Sequence, residues 1–168
     1  GPLAGPVVAA AVIVRTKSMR SFMRVRDSKK LSAKQREQLH QYLITHPQVM
    51  WGIGKCSEKQ IDKINILEAT KRAMKNALTN LKKKLSPQQS IDHLILDGNF
   101  SLNTSYPQQS IIKADITVLS CSIASIIAKV VRDRMMERYD RKYPEYEFAK
   151  HKDDGINKVI MDLQGSKV

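Results

Sequence analysis

Acid is scarce in this chain. Sixteen Asp and Glu face 29 Lys and Arg, leaving a net charge of +13 and a pI near 9.9. An imbalance of that size speaks against a partner that is itself basic and points to a polyanion, nucleic acid above all. Cysteine is nearly missing too. Cys56 and Cys121 are the two present, too few for a disulfide scaffold or a cysteine-rich zinc module, and a reduced, structural role in the cytoplasm is expected for them. Aromatic residues make up only 5%, so the core must come from Ile, Leu, Val, Ala and Met. No apolar run approaches the roughly 20 residues that span a bilayer, and no basic helix carries bulky aromatics opposite its charge, so no membrane role is expected. Residues 1–14 have no basic stretch ahead of their apolar run, and no secretory signal is expected there. GxSxG, the P-loop and GxGxxG are all absent, which removes the common nucleophile and nucleotide motifs.

What is present fits one domain over residues 1–168, without repeats, low-complexity tracts or a linker. The basic residues are spread over Arg15 to Lys30, Lys71 to Lys84 and Lys129 to Lys142, which favours a broad polyanion-facing surface over a charged tail. Val7–Val14 reads as a buried strand behind two Gly-Pro pairs. Ser32 can cap a helix over Lys34–Thr45 whose apolar face is Leu39, Tyr42 and Leu43, and His46-Pro47 stops it. Val49–Lys55 is a second strand. Ser57 to Gln60 forms a capping box for a long helix with Ile64, Leu67, Thr70, Met74, Ala77 and Leu81 on one stripe. Lys63, Lys71, Lys75 and Lys82 fall mostly off that stripe, as a solvated face would. His93–Leu96 is a short strand running into Asp97-Gly98, and Ser110–Asp115 another ending in an acid. From Ser120 a helix is expected with Ile123, Ile127, Val130, Val131 and Met135 inward, closed by Tyr143-Pro144, with a last helical piece near Lys158–Leu163. The alternation predicts an α/β fold with helices packed on a sheet.

Asp97 and Asp115 carry the strongest chemical signal. In open α/β sheets ligands gather at the C-terminal ends of strands, and two carboxylates converging there favour a hard divalent cation such as Mg²⁺. Each also reads as a turn residue, Asp-Gly being a turn signal in its own right. Ser122, Ser125, Lys129 and Arg132, spaced three, four and three, could form a phosphate track; small residues packing closely on a sheet would give the same pattern. His46, His93 and His151 lack partners at zinc-ligand spacing, and Cys121 sits in an apolar helix start, where packing is the better reading than nucleophilic attack. Asp27 to Ser32 is either a loop leading into a helix cap or a set of phosphate contacts through Ser28, Lys29 and Lys30.

GPLAGPVVAAAVI, DSKKLS, IDKINILEATKRAM, LILDGN and KADITVLSCSIASIIAKVVRDRMM, then KYPEYEFAKHK, occur in order over nearly the whole chain. Together they resemble the type 2 ribonuclease H family, the ribonuclease HII of bacteria. The resemblance implies a ribonuclease H-like fold: a mixed central sheet flanked by helices, with a helical C-terminal portion. It implies a monomeric cytoplasmic endonuclease that cuts RNA in RNA–DNA hybrids and nicks duplex DNA 5′ to an embedded ribonucleotide, leaving a 5′-phosphate and a 3′-hydroxyl. The family's site uses four carboxylates with Mg²⁺ or Mn²⁺. Two come from an Asp-Glu-x-Gly-Arg-Gly-Pro motif, the third corresponds to Asp97 and the fourth to Asp115. Gly1, Pro2, Ser28, Lys29, Lys30, Ser125, Lys129, His151 and Lys152 would hold the nucleic acid. Gly1 matches the last glycine of the motif, so the Asp-Glu pair and a central strand are expected ahead of residue 1. The family's His-Lys-Gly-Tyr-Gly-Thr reads His151-Lys152-Asp153-Asp154-Gly155-Ile156 here, with Asp154 where a tyrosine would pack on the ribose. The basic tail of many relatives is not seen, and Ala114 replaces a glycine. These departures motivate a second reading, a hybrid-binding protein with impaired catalysis.

Overall fold

The computed structural model describes residues 5–15, Val25 and residues 31–146. Strand β1 (Val7–Val14) is followed by helix α1 (Ala33–Thr45), β2 (Val49–Cys56), α2 (Glu58–Lys82), β3 (Leu94–Asp97), β4 (Gln108–Ile111), α3 (Ala114–Thr117) and α4 (Leu119–Lys142). A 3₁₀ turn closes the described part at Pro144–Tyr146. The α/β class read from the sequence is the fold observed, and α4 supplies the helical C-terminal portion. Both strand senses occur, as two ladders among the described residues: β1 pairs antiparallel with β2, and β3 parallel with β4.

The core is organised by β1. Its first seven residues are all buried, and a strand's period of two sends alternate side chains to opposite faces. Val7, Ala9, Ala11 and Ile13 join a cluster with Met74, Ala77 and Leu81 of α2 and with Leu94 and Leu96 of β3. Val8, Ala10 and Val12 join Leu43 of α1 and Ile123, Ala124 and Ile127 of α4. One strand thus serves as the middle layer between two helical layers. Gly52 and Gly54 let α2 lie close on β2: a Cβ at Gly54 would collide with the Ala73 carbonyl and the Ala77 amide.

Both expected helix starts, the Ser32 cap and the Ser57 capping box, are present. The Gln35 amide oxygen accepts from the Ser32 N–H at 2.9 Å, and Gln60 does the same for Ser57 at 3.1 Å. Three details differ from the sequence reading. Helix α2 is not continuous: Asn65 has φ 65° and ψ 168°, and its side-chain oxygen accepts from the Glu68 N–H at 3.0 Å, starting a second helical segment. The strand expected over Ser110–Asp115 ends at Ile111, because Lys113 turns into the left-handed region at φ 59°. Helix α4 has no single apolar stripe; Ser120 to Ala124 are all buried, so its first turns run through the interior. The helical piece expected near Lys158–Leu163 lies outside the described residues.

Candidate active site

Asp97 is the last residue of β3, and Asp115 stands in the first turn of α3. The parallel ladder sets Asp97 opposite Ile111, and the Gly98 N–H donates to the Ile111 carbonyl at 3.1 Å, extending the ladder past the strand ends. The chain then turns through Lys113 so that the buried Ala114 N–H donates to Asp97 Oδ1 at 2.9 Å. A carboxylate only 1% exposed is thereby oriented by the backbone of the residue preceding the second acid. Asp115 is half-buried, and its own backbone is tied down: Ser122 Oγ donates to the Asp115 carbonyl at 2.5 Å and reaches the Val118 carbonyl at 3.2 Å. Ile112 and Ile116 flank it, 70% and 53% exposed. The 98–107 connection is stapled beside β4: Gln108 bonds both the N–H and the carbonyl of Leu102, at 2.7 and 2.8 Å, and Ser110 donates to the Phe100 carbonyl.

Asp97 is thus bonded to the backbone of the residue next to Asp115. The phosphate track is not what the spacing suggested. Ser122 is 2% exposed and engaged with Asp115, and Arg132 is wholly buried, because α4 is enclosed over this stretch. Ser125 is half-buried, and Lys129, also half-buried, sits 3.1 Å from Asp133. Both lie further along α4, with Lys129 about 10 Å beyond Ser122 at 1.5 Å rise per residue. Gly1, Pro2, Ser28, Lys29, Lys30, His151, Lys152 and Asp154 lie outside the described residues. The sequence reading missed the Ala114 N–H and the positioning hydroxyl of Ser122. A backbone donor leaves no mark in a side-chain pattern.

The donor set is two carboxylates, hard oxygen ligands that suit Mg²⁺ or Mn²⁺ better than a soft metal. Among the described residues no group of three His, Cys, Asp or Glu gathers that could hold a metal by itself. An acid at the end of a parallel strand and another in the helical turn beyond its neighbour, in a strongly basic α/β chain, fit a nuclease that works with a divalent metal. Comparison with known proteins agrees. The family model for ribonuclease HII matches residues 1–164. A ribonuclease HII of Treponema denticola is 43% identical over 95% of this chain and 84% of its own length. One from Chlamydia trachomatis is 46% identical over 98% and 71%, respectively. Among solved structures, the ribonuclease HII in a complex with PCNA from Archaeoglobus fulgidus superposes with a TM-score of 0.68 at 26% identity, covering 85% of this chain and 72% of that one. The ribonuclease H2 of Pyrococcus horikoshii gives 0.65 at 29% identity, covering 87% and 74%. The chain belongs to the ribonuclease HII family and is a ribonuclease H, a hydrolase of the endonuclease type.

Proposed function

We propose that this ribonuclease H cuts the RNA strand of RNA–DNA hybrids and nicks duplex DNA on the 5′ side of an embedded ribonucleotide, leaving a 5′-phosphate and a 3′-hydroxyl. The observation that supports this is the bond from the Ala114 N–H to Asp97 Oδ1, which ties the LILDGN segment to the KAD segment. Asp97 and Asp115 would hold Mg²⁺ or Mn²⁺. Such ions, when bound, lower the pKa of a water nucleophile and stabilise the leaving oxygen of an in-line displacement. The chain's own part is to fix the carboxylates: burial and the Ala114 N–H hold Asp97 in one rotamer, and Ser122 holds the backbone of Asp115.

Ser125 and Lys129 would meet phosphates on the α4 side, and Gly1, Pro2, Ser28, Lys29, Lys30, His151 and Lys152 would grip the strands. The protein would work as a cytoplasmic monomer. The decisive experiment incubates the protein with a duplex holding one ribonucleotide, in Mg²⁺ and separately in Mn²⁺. A nick 5′ to the ribonucleotide with a ligatable 5′-phosphate is expected. Tight hybrid binding without any nick would replace this reading with that of a catalytically impaired hybrid-binding protein. Asp154→Tyr, which restores the family's aromatic residue, is expected to sharpen preference for the junction over an all-RNA strand; an unchanged ratio would mean that the contact is made elsewhere.

A further inference from the structure

The outer edge of β2 has a feature that the acidic site does not use. Residues 51, 53 and 55 face away from β1, and α2 covers their carbonyls one by one: Lys84 Nζ donates to the Trp51 carbonyl at 2.6 Å, Asn80 Nδ2 to Ile53 at 2.8 Å and Asn76 Nδ2 to Lys55 at 3.3 Å. In an antiparallel strand the N–H of a residue points to the same side as its carbonyl. With the acceptors taken by side chains, the edge presents backbone donors. Beside it runs a groove of about 670 Å³ lined by Lys55, Asn76, Thr79, Asn80 and Lys83, among others, with no carboxylate in the lining. Lys55, Thr79 and Lys83 are exposed. The sequence adds a second observation: from residue 69 to 91 the chain has six cations and no acid. A helix face that is merely solvated usually alternates its charges; this one does not.

We propose that this groove is a nucleic-acid contact separate from Asp97 and Asp115, taking the phosphodiester backbone on the Lys55 and Lys83 ammoniums, the Thr79 hydroxyl and the edge N–H groups. It rests on the reading that the protein acts on nucleic acid. The contact is sequence-independent, because phosphates carry no base information. It tethers nucleic acid and does no chemistry.

The test compares Lys55→Gln/Lys83→Gln with a control, Lys59→Gln/Lys63→Gln, which removes two exposed lysines from the first turns of α2. Each phosphate contact contributes roughly 0.9 to the slope of log affinity against log salt. The groove variant is expected to bind a labelled duplex about tenfold more weakly in dilute salt, with a slope shallower by about 2. The control should lose no slope, and the rate at saturating substrate should be unchanged in both. Thr79→Glu, which puts a carboxylate in the groove, should weaken binding further with an unchanged melting temperature. Affinity and slope in the groove variant equal to the control's would overturn the proposal, including where the groove instead serves an acidic protein. A wild-type protein that binds through the groove but never cuts would sink the catalytic reading alone.

Discussion

At the scale of single residues, the site is built from small polar commitments. Asp97 is held by a backbone amide, and Asp115 through its own carbonyl by Ser122. Removing a charge that binds a divalent ion costs several kcal/mol of charge stabilisation. Asp97→Asn is therefore expected to lower the cleavage rate by about a hundredfold or more at an unchanged melting temperature, checked on a single-ribonucleotide duplex at saturating Mg²⁺. Ser122→Ala tests positioning. It should cost about 1 kcal/mol of stability for the lost hydroxyl bonds. It should also raise the metal concentration for half-maximal rate about tenfold, as loss of an outer-shell partner does. A stability loss with an unmoved metal dependence would make Ser122 purely structural. Asp97 ends an apolar strand as its sequence pattern suggests, whereas Asp115, expected at a strand end too, stands in the first turn of α3. Ser122 was visible only as a hydroxyl at a helical spacing, which fitted a phosphate contact and close packing on a sheet equally well. Burial of α4 on all sides reassigned it.

Elements show where local pattern suffices and where it does not. The cap at Ser32 and the capping box at Ser57 lie where the sequence placed them, since such bonds are made within four residues. The break at Asn65 escaped the apolar periodicity, because Ile64 and Leu67 keep helical spacing across it; the Asn side chain, a good cap, was the available signal. Packing of α2 on β2 depends on Gly54, whose Cβ position is filled by backbone atoms of α2. Gly54→Ala should push the helix off the sheet and cost about 3 kcal/mol, the upper part of the overpacking range, read as a fall in melting temperature. A variant that melts with the wild type would mean that the two elements are less closely packed than described. No sequence pattern announces this contact, since glycine in a strand reads equally as a bulge or a turn.

For the molecule as a whole, three layers share β1, and α1 is bound to α4 through Arg134 and Glu37. His40 lies in that junction, 2% exposed. Burial first, then the charge of Arg134, lowers its pKa below the ordinary 6.5, with Glu37 acting in the opposite direction. Below that value the unfolded chain binds the proton more readily than the folded one, so the contribution present above pH 6.5 is lost as the pH falls towards the folded-state pKa. The urea midpoint should drop between pH 7 and pH 5, and His40→Gln should flatten that drop; equal slopes in both proteins would remove His40 from the account. Among the described residues no helix is long and apolar enough to cross a membrane, in keeping with a composition that lacks such a run. The sequence by itself determined the α/β class, the helix starts, the basic character and the two acids, because each of these is written in composition or in spacings of a few residues. Only the tertiary structure decided that Asp97 is bonded to the amide preceding Asp115, that Ser122 and Arg132 are interior, and that side chains of α2 take the carbonyls along the edge of β2. Those outcomes depend on contacts between residues far apart in the chain, and no local pattern encodes them.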